Sequence, residues 1–255
     1  ALVSLFGWIL LAAFAWADAL PTATPEEVGL SSQKLARVTE VVKAEIAKGR
    51  YPGAVALVAR RGKIAYFEAL GQRDPQAGAP MTKDAIFRLY SMTKPFASVA
   101  AMMLVEDGRI LLNDPVSKYI PKLKGLQVSV PRVDTQTGKV TYALVPAERE
   151  MTIQDLLRHT SGIVYGSTSH TGVKEAYAKE GVNWTGVTPA EQIERLAKVP
   201  LAHQPGAAWE YSLSTDVLGR VIEAVTGATL GRFLEERIFV PLKIQSSPSR
   251  FANVR

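Results

Sequence analysis

The 255-residue sequence predicts an α+β chain, and three observations carry that expectation. Two runs rich in strand-forming residues sit back to back from Gly53 to Gly71, segments of helical spacing follow one another downstream, and no internal repeat occurs.

Taken in chain order, residues 1–17 (ALVSLFGWILLAAFAWA) are uncharged and apolar and close on small-x-small residues. They read as the apolar part of a secretory signal, cut after Ala17 or Ala19, so that residues 1–19 are a signal peptide and the mature protein is periplasmic or secreted. A membrane anchor is the alternative, since 17 residues lie near the lower limit for a span. No stable membrane association is expected once the signal is removed. After the Pro21–Pro25 linker, Ser31 caps an amphipathic helix with Leu35, Val38, Val41, Val42 and Ile46 on its apolar face and Gly49 at its stop. Gly53–Arg60 and Lys63–Gly71 are strands about an Arg61-Gly62 turn. A turn-rich segment runs from Gln72 to Pro80. Phe96–Val105 (FASVAAMMLV) is an uncharged helix, expected to be buried. Pro115–Pro121 is a break. Leu126–Pro131 and Lys139–Leu144 flank Asp134–Gly138 as a second, exposed hairpin. Two capping boxes, Thr152-Ile-Gln-Asp155 and Thr188-Pro-Ala-Glu191, start helices, the first over Ile153–Arg158, with Gly162 ending it or the turn that follows, and the second reaching about Ala197. Thr215–Thr226, closed by Gly227, and Thr229–Phe239, stopped by Pro241, complete the series.

Composition narrows the function. A 47% hydrophobic content provides for a sizeable core. Lys and Arg exceed Asp and Glu by 30 to 24, but the basic residues are scattered, without the stripe and interleaved aromatics that nucleic-acid binding calls for. Absence of cysteine removes disulfides, thiol catalysis and thiolate metal sites. Three histidines without His-x-x-x-His spacing argue against a metal centre.

The chemistry-bearing segment is Ser91-Met92-Thr93-Lys94, followed by Pro95. Residues three apart on a helix share a face, so Lys94 can reach back to the Ser91 hydroxyl. Proline is tolerated only in a helix's first turn, which puts Ser91 at or just before the helix start, where unpaired N–H groups favour an oxyanion. A buried helix would depress the Lys94 pKa and make the amine a base near neutral pH. The same tetrapeptide also occurs by chance as a simple cap. Tyr211, in Tyr211-Ser212-Leu213 just before a helix, offers a second proton carrier if Lys94 lowers its pKa, or is a buried tyrosine bonded to backbone beside Trp209. His159, Thr160, Ser161 and Gly162 do not make a Ser-His pair, because adjacent residues cannot easily form that bond and no Gly-x-Ser-x-Gly elbow is present.

Together, GAVALVARRGKIAYFEALG at 53–71, FRLYSMTKPF at 87–96, LLRHTSGI at 156–163, PGAAWEYSLSTDVLGRVIEAVTG at 205–227 and FVPL at 239–242 resemble the serine β-lactamase and penicillin-binding-protein superfamily. The resemblance is to the branch of class C β-lactamases, D,D-peptidases and family VIII carboxylesterases. It implies a β-lactamase-like fold, an antiparallel sheet flanked by helices plus a helical subdomain. It further implies that Ser91 is the nucleophile, Lys94 its activating partner and Tyr211 the second acid/base, with no cofactor. HTSG is structural in that family. Where the family's tyrosine motif ordinarily ends in Asn, this chain has Leu213, which cannot bond an amide, and the resemblance to family VIII suggests an ester substrate. Tyr165, His170, Tyr177 and Trp184 lie in a Gly-rich stretch that either roofs the pocket or packs ordinarily; Tyr165, His170, Trp184 and Leu213 are the candidate substrate-binding residues. A small-molecule ester or β-lactam is the expected partner, and oligomeric state is open. A β-lactamase or D,D-peptidase, and a catalytically inactive recognition module, are the rival readings.

The family's Lys-Thr-Gly-type motif and later sheet strands are not found after Tyr211, and KIQSSPSRFANVR departs from the pattern expected after Pro241-Leu242. The expectation is a domain over 20–255 that is incomplete at its C-terminus or out of frame there, and therefore poorly soluble and nearly inactive on its own.

Overall fold

Each element forms where local chemistry asks for it, as a computed structural model describing residues 20–166, 172–182 and 186–244 makes clear. The backbone divides into two compact units, Ala1–Arg88 and Leu89–Arg255.

In the first unit, helix α1 (Ser32–Ala47) starts where the Ser31 hydroxyl accepts the Lys34 N–H. It packs on strand β2 (Lys63–Asp74), with a Thr39–Tyr66 hydroxyl contact of 2.8 Å between them. Strand β1 (Gly53–Arg60) pairs with β2 from Gly53↔Gly71 to Arg60↔Lys63, with a bulge at Val58/Ala59. Arg61 and Gly62 both take positive φ, the two-residue turn whose twist matches that of the flanking strands. The segment read as turn-rich continues β2 to Asp74 and returns as a short third strand, β3 (Ala79–Pro80).

The second unit is a helical core with one hairpin. Helix α2 (Thr93–Glu106) follows a 3₁₀ turn at Tyr90–Met92, and Pro95 is its third residue, inside the first turn as expected. It packs on α6 (Ser214–Thr226), which also carries α3 (Ile153–Arg158). Ala100, Ala101, Leu104, Ile153, Leu156, Leu218 and Ile222 are all fully buried there. The expectation that α2 is buried on every side is corrected: Val99 is 51% exposed and Met102 44%. Absence of charge told of composition, not of contact.

Strands β4 (Gln127–Val133) and β5 (Val140–Pro146) form the second hairpin, and Val128 also bridges Leu201 in parallel. Both capping boxes close reciprocally, Thr152 with Asp155 and Thr188 with Glu191, starting α3 and α5 (Pro189–Leu196). Helix α4 (Lys174–Lys179) was not anticipated, since its six residues are too few to display a period. Thr229–Phe239 is helical but divided, α7 (Leu230–Leu234) running into a π turn at Glu235–Phe239, whose Phe239 ring meets Phe96 of α2 edge-on at 5.5 Å. Among the described residues, no helix is long and apolar enough to cross a membrane.

Candidate active site

Three segments of the second unit converge: the mouth of α2, the turn after α3, and the loop before α6. At the mouth of α2, Tyr90 adopts φ +44°, a left-handed conformation that bulky residues avoid, immediately before Ser91. The 3₁₀ turn then presents the Ser91 hydroxyl beside the first turn of α2. Lys94 lies one turn on and donates to Ser91 Oγ at 3.4 Å, a long contact.

The turn after α3 is held from several directions. His159 takes φ +56° and ends the helix after Arg158, as the sequence predicts, and Gly162 closes the turn beyond. The Thr160 hydroxyl donates to Asp155 Oδ1 at 2.9 Å, and Arg149 clamps the same carboxylate at 2.6 and 3.0 Å. Burial alone would raise the Asp155 pKa, but this guanidinium and the Thr152 N–H hold it below the usual carboxylate range. Gly162 has φ +83°, and a Cβ there would fall 2.3 Å from the His203 carbonyl oxygen, so no other residue fits. Backbone bonds strap the following loop to this turn: Gly206 N–H to the Thr160 carbonyl at 2.7 Å, Glu210 N–H to that of His159 at 3.0 Å, and Ala202 N–H to that of Gly162 at 2.8 Å. The phenol of Tyr211 emerges from the strapped loop.

Tyr211 Oη donates to Ser91 Oγ at 2.6 Å, closing 120 residues of sequence separation. The Lys94 ammonium lies 4.7 Å from the Tyr211 ring centroid and donates to Tyr165 Oη at 3.4 Å. Serine, lysine and two phenols thus share one polar cluster. Their ionisation preferences diverge. Burial opposes the Lys94 charge, yet bonding to Tyr211 and attraction to both phenols hold its pKa above the ordinary lysine value. This corrects the expectation that Lys94 loses its charge to desolvation. The half-buried amine has hydroxyl partners that favour the ammonium. Tyr165 is raised, because burial and the Asp216 carboxylate outweigh Lys94. Tyr211 is lowered: burial raises it, but hydrogen bonds with Lys94 and Ser91 prevail. Of two phenols beside one ammonium, Tyr211 ionises first, and groups whose pKa values are pushed apart in one site take different acid/base roles.

Leu213 requires a correction. It is 1% exposed and belongs to the hydrophobic core, so its side chain is not offered to a ligand. Position 213 caps α6, and its side chain turns inward with the helix's apolar face. Tyr177 is likewise fully buried, and burial pushes its phenol far up. His170 and Trp184 lie outside the described residues. His203 pairs with Glu210 at 2.6 Å. Sequence reasoning missed Asp216, whose carboxyl is raised by burial against the pull of Lys94, and missed the contact of the His159 ring with Tyr211 at 4.9 Å between centroids. The Asp216 position, in the first turn of the helix that follows the candidate tyrosine, was the available signal.

The Beta-lactamase family model matches residues 38–247. This chain belongs to the β-lactamase family. It is 34% identical over 237 residues to esterase EstB of Burkholderia gladioli, covering 89% of this chain and 56% of that one. A putative D-alanyl-D-alanine carboxypeptidase of Salmonella typhimurium is 30% identical over 239 residues, with 89% and 50% covered. Among solved structures, EstCE1, described as a hydrolase with promiscuous acyltransferase activity, superposes with a TM-score of 0.69 at 30% identity, covering 84% of this chain and 52% of that one. The chain therefore spans about half the length of the relatives it matches. The fold is the β-lactamase-like α+β architecture that the sequence motifs implied.

Proposed function

We propose that this protein is a serine hydrolase that cleaves small esters through an acyl-enzyme, with Ser91 as nucleophile and Tyr211 as its base. The observation that carries the reading is the 2.6 Å contact between Tyr211 Oη and Ser91 Oγ, with Lys94 Nζ 3.4 Å from the same oxygen. With the phenol neutral, it donates to the serine. Once it ionises, the hydrogen bond reverses and the phenolate accepts the Ser91 proton. Oγ then bonds to the ester carbonyl carbon while the C=O π pair moves onto oxygen, where N–H groups at the mouth of α2 stabilise it. Collapse breaks the C–O bond to the leaving alcohol, which takes the proton from Tyr211. Water, deprotonated by the same phenolate, adds to the acyl carbon, and collapse breaks the bond to Oγ, which takes that proton back from Tyr211 as the acid leaves and Ser91 is restored. Lys94 keeps its proton throughout and lowers the cost of the phenolate.

Preference for an ester is supported by the inward-facing Leu213, which leaves no amide at that position to hold a substrate amide, and by the likeness to EstB. The likeness to the Salmonella carboxypeptidase supports an alternative, a β-lactam or D-alanyl peptide substrate. The apolar run at 1–17 closed by small residues supports export.

The test is covalent labelling with a fluorophosphonate, run beside turnover of p-nitrophenyl acetate and a chromogenic cephalosporin. Label on Ser91, lost in Ser91→Ala, with slow turnover in which the nitrophenyl ester outpaces the cephalosporin, is the expected result. Failure of the folded wild-type protein to take the label would overturn the reading, and faster cephalosporin turnover would favour the alternative substrate.

A further inference from the structure

His159 belongs to a segment first assigned to shape alone, yet its imidazole ends a buried chain of hydroxyls leading to the residue next to Tyr211. Its Nδ1 lies 3.2 Å from the Ser212 backbone N–H and 3.0 Å from Ser212 Oγ. Ser212 Oγ is 2.7 Å from Ser214 Oγ, which is 2.8 Å from Ser161 Oγ; Ser161, Ser212 and Ser214 are wholly buried. The Ile163 N–H donates to Ser161 Oγ, and the Ser214 N–H to Ser212 Oγ.

Direction at the imidazole follows from the backbone N–H that faces it and can only donate. The Ser212 N–H points at Nδ1, so Nδ1 accepts and the imidazole proton sits on Nε2. The Ser212 hydroxyl then donates to Nδ1 as well, Ser214 donates to Ser212, and Ser161 donates to Ser214. Every member is satisfied in a single sense, which makes the network rigid. A proton on Nδ1 would face the Ser212 N–H, which can only donate, and would force the hydroxyls of the chain to reverse.

We infer that His159, as the neutral Nε2–H tautomer, is the positioning residue for Tyr211: it pins the Ser212 peptide and hydroxyl so that the preceding phenol meets Ser91. The inference rests on the proposed role of Tyr211 as base. The imidazole ring also packs against the Tyr211 ring at 4.9 Å and the Trp209 ring at 6.5 Å, bracing the side chain as well as the backbone. The titratable groups around it are Tyr211, on the loop before α6, and Lys94 from α2; burial, together with the Lys94 charge, lowers the imidazole pKa and favours the neutral ring.

The experiment compares wild type, His159→Ala and His159→Asn in acylation by p-nitrophenyl acetate across pH, with fluorophosphonate labelling as a second readout. Asparagine tolerates the left-handed backbone and supplies an oxygen near Nδ1, but cannot be protonated. His159→Ala is expected to lower kcat/KM about 10- to 100-fold and to shift the Tyr211-dependent rise of the pH profile upward, because the displaced phenol loses the bonds that lower its pKa. His159→Asn is expected to restore both near neutral pH. Its activity relative to wild type should grow as the pH falls below the ordinary imidazole range, where a protonated ring would break the network. Folded His159→Ala with unchanged rate and profile overturns the inference, as does a His159→Asn to wild-type ratio that stays flat with pH. Should His159→Ala fail to fold, that ratio alone decides. Wild type that acylates no probe would instead refute the proposed hydrolase.

Discussion

Replacing Tyr211 by phenylalanine removes one oxygen and leaves the ring in place, which makes it the sharpest probe of proton transfer at Ser91. The oxygen stands 2.6 Å from Ser91 Oγ and is the group of lowest relative pKa among the two phenols of the site. A positioned general base typically contributes about 10²- to 10⁴-fold, so kcat/KM should fall by that factor, equivalent to about 3–5 kcal/mol of transition-state stabilisation. Stability should change by less than about 1 kcal/mol, because the hydroxyl sits on a side chain 38% exposed and its loss leaves Ser91 open to water. Stopped-flow acylation by p-nitrophenyl acetate, followed over pH, is the assay. In wild type the rate should rise as Tyr211 ionises below the ordinary phenol range and fall only when Lys94 loses its proton above the ordinary lysine value. The rising limb should disappear in Tyr211→Phe. Retention of acylation within about threefold of wild type, with the limb unmoved, would refute the assignment of Tyr211 as base and return that task to Lys94.

Lys94→Met should raise the Tyr211 pKa toward that of a free phenol, moving the rising limb upward and cutting kcat/KM at neutral pH by at least about 100-fold. The same variant should raise the His159 pKa, since burial and the Lys94 charge together depress it, and imidazole NMR titration reads this without activity. Asp155→Ala should cost about 2–3 kcal/mol in urea unfolding, because it strips Arg149, Thr152 and Thr160 of a buried partner. The folded Asp155 pKa lies below its unfolded value near 4, so its contribution is whole above about pH 4 and fades as the pH falls through the folded value. Wild type should therefore lose stability in acid more steeply than Asp155→Ala, and parallel acid limbs would contradict this.

Much of the fold was legible because its signals are local. Ser31, Thr152 and Thr188 cap helices whose first N–H groups lie within three residues, and Arg61-Gly62 needs only its own backbone freedom to turn a hairpin. Ser91 and Lys94 could be paired from their spacing, since one helical turn determines their separation. Leu213 could not be read this way: whether a residue at a helix start faces a ligand or the core depends on the helix's rotation against α2 and α3. His159 was set aside because its sequence neighbours are poor partners. Its actual partner, Ser212, lies 53 residues away.

From sequence alone came most of the helix and hairpin boundaries, the pairing of Ser91 with Lys94, and the family motifs, all of which depend on spacings of a few residues. Tertiary structure alone decided which hydroxyls surround Lys94, the opposite directions in which the two phenols are shifted, and the inward turn of Leu213. Electrostatic preference is a sum over groups brought close by packing, and no run of adjacent residues contains that sum.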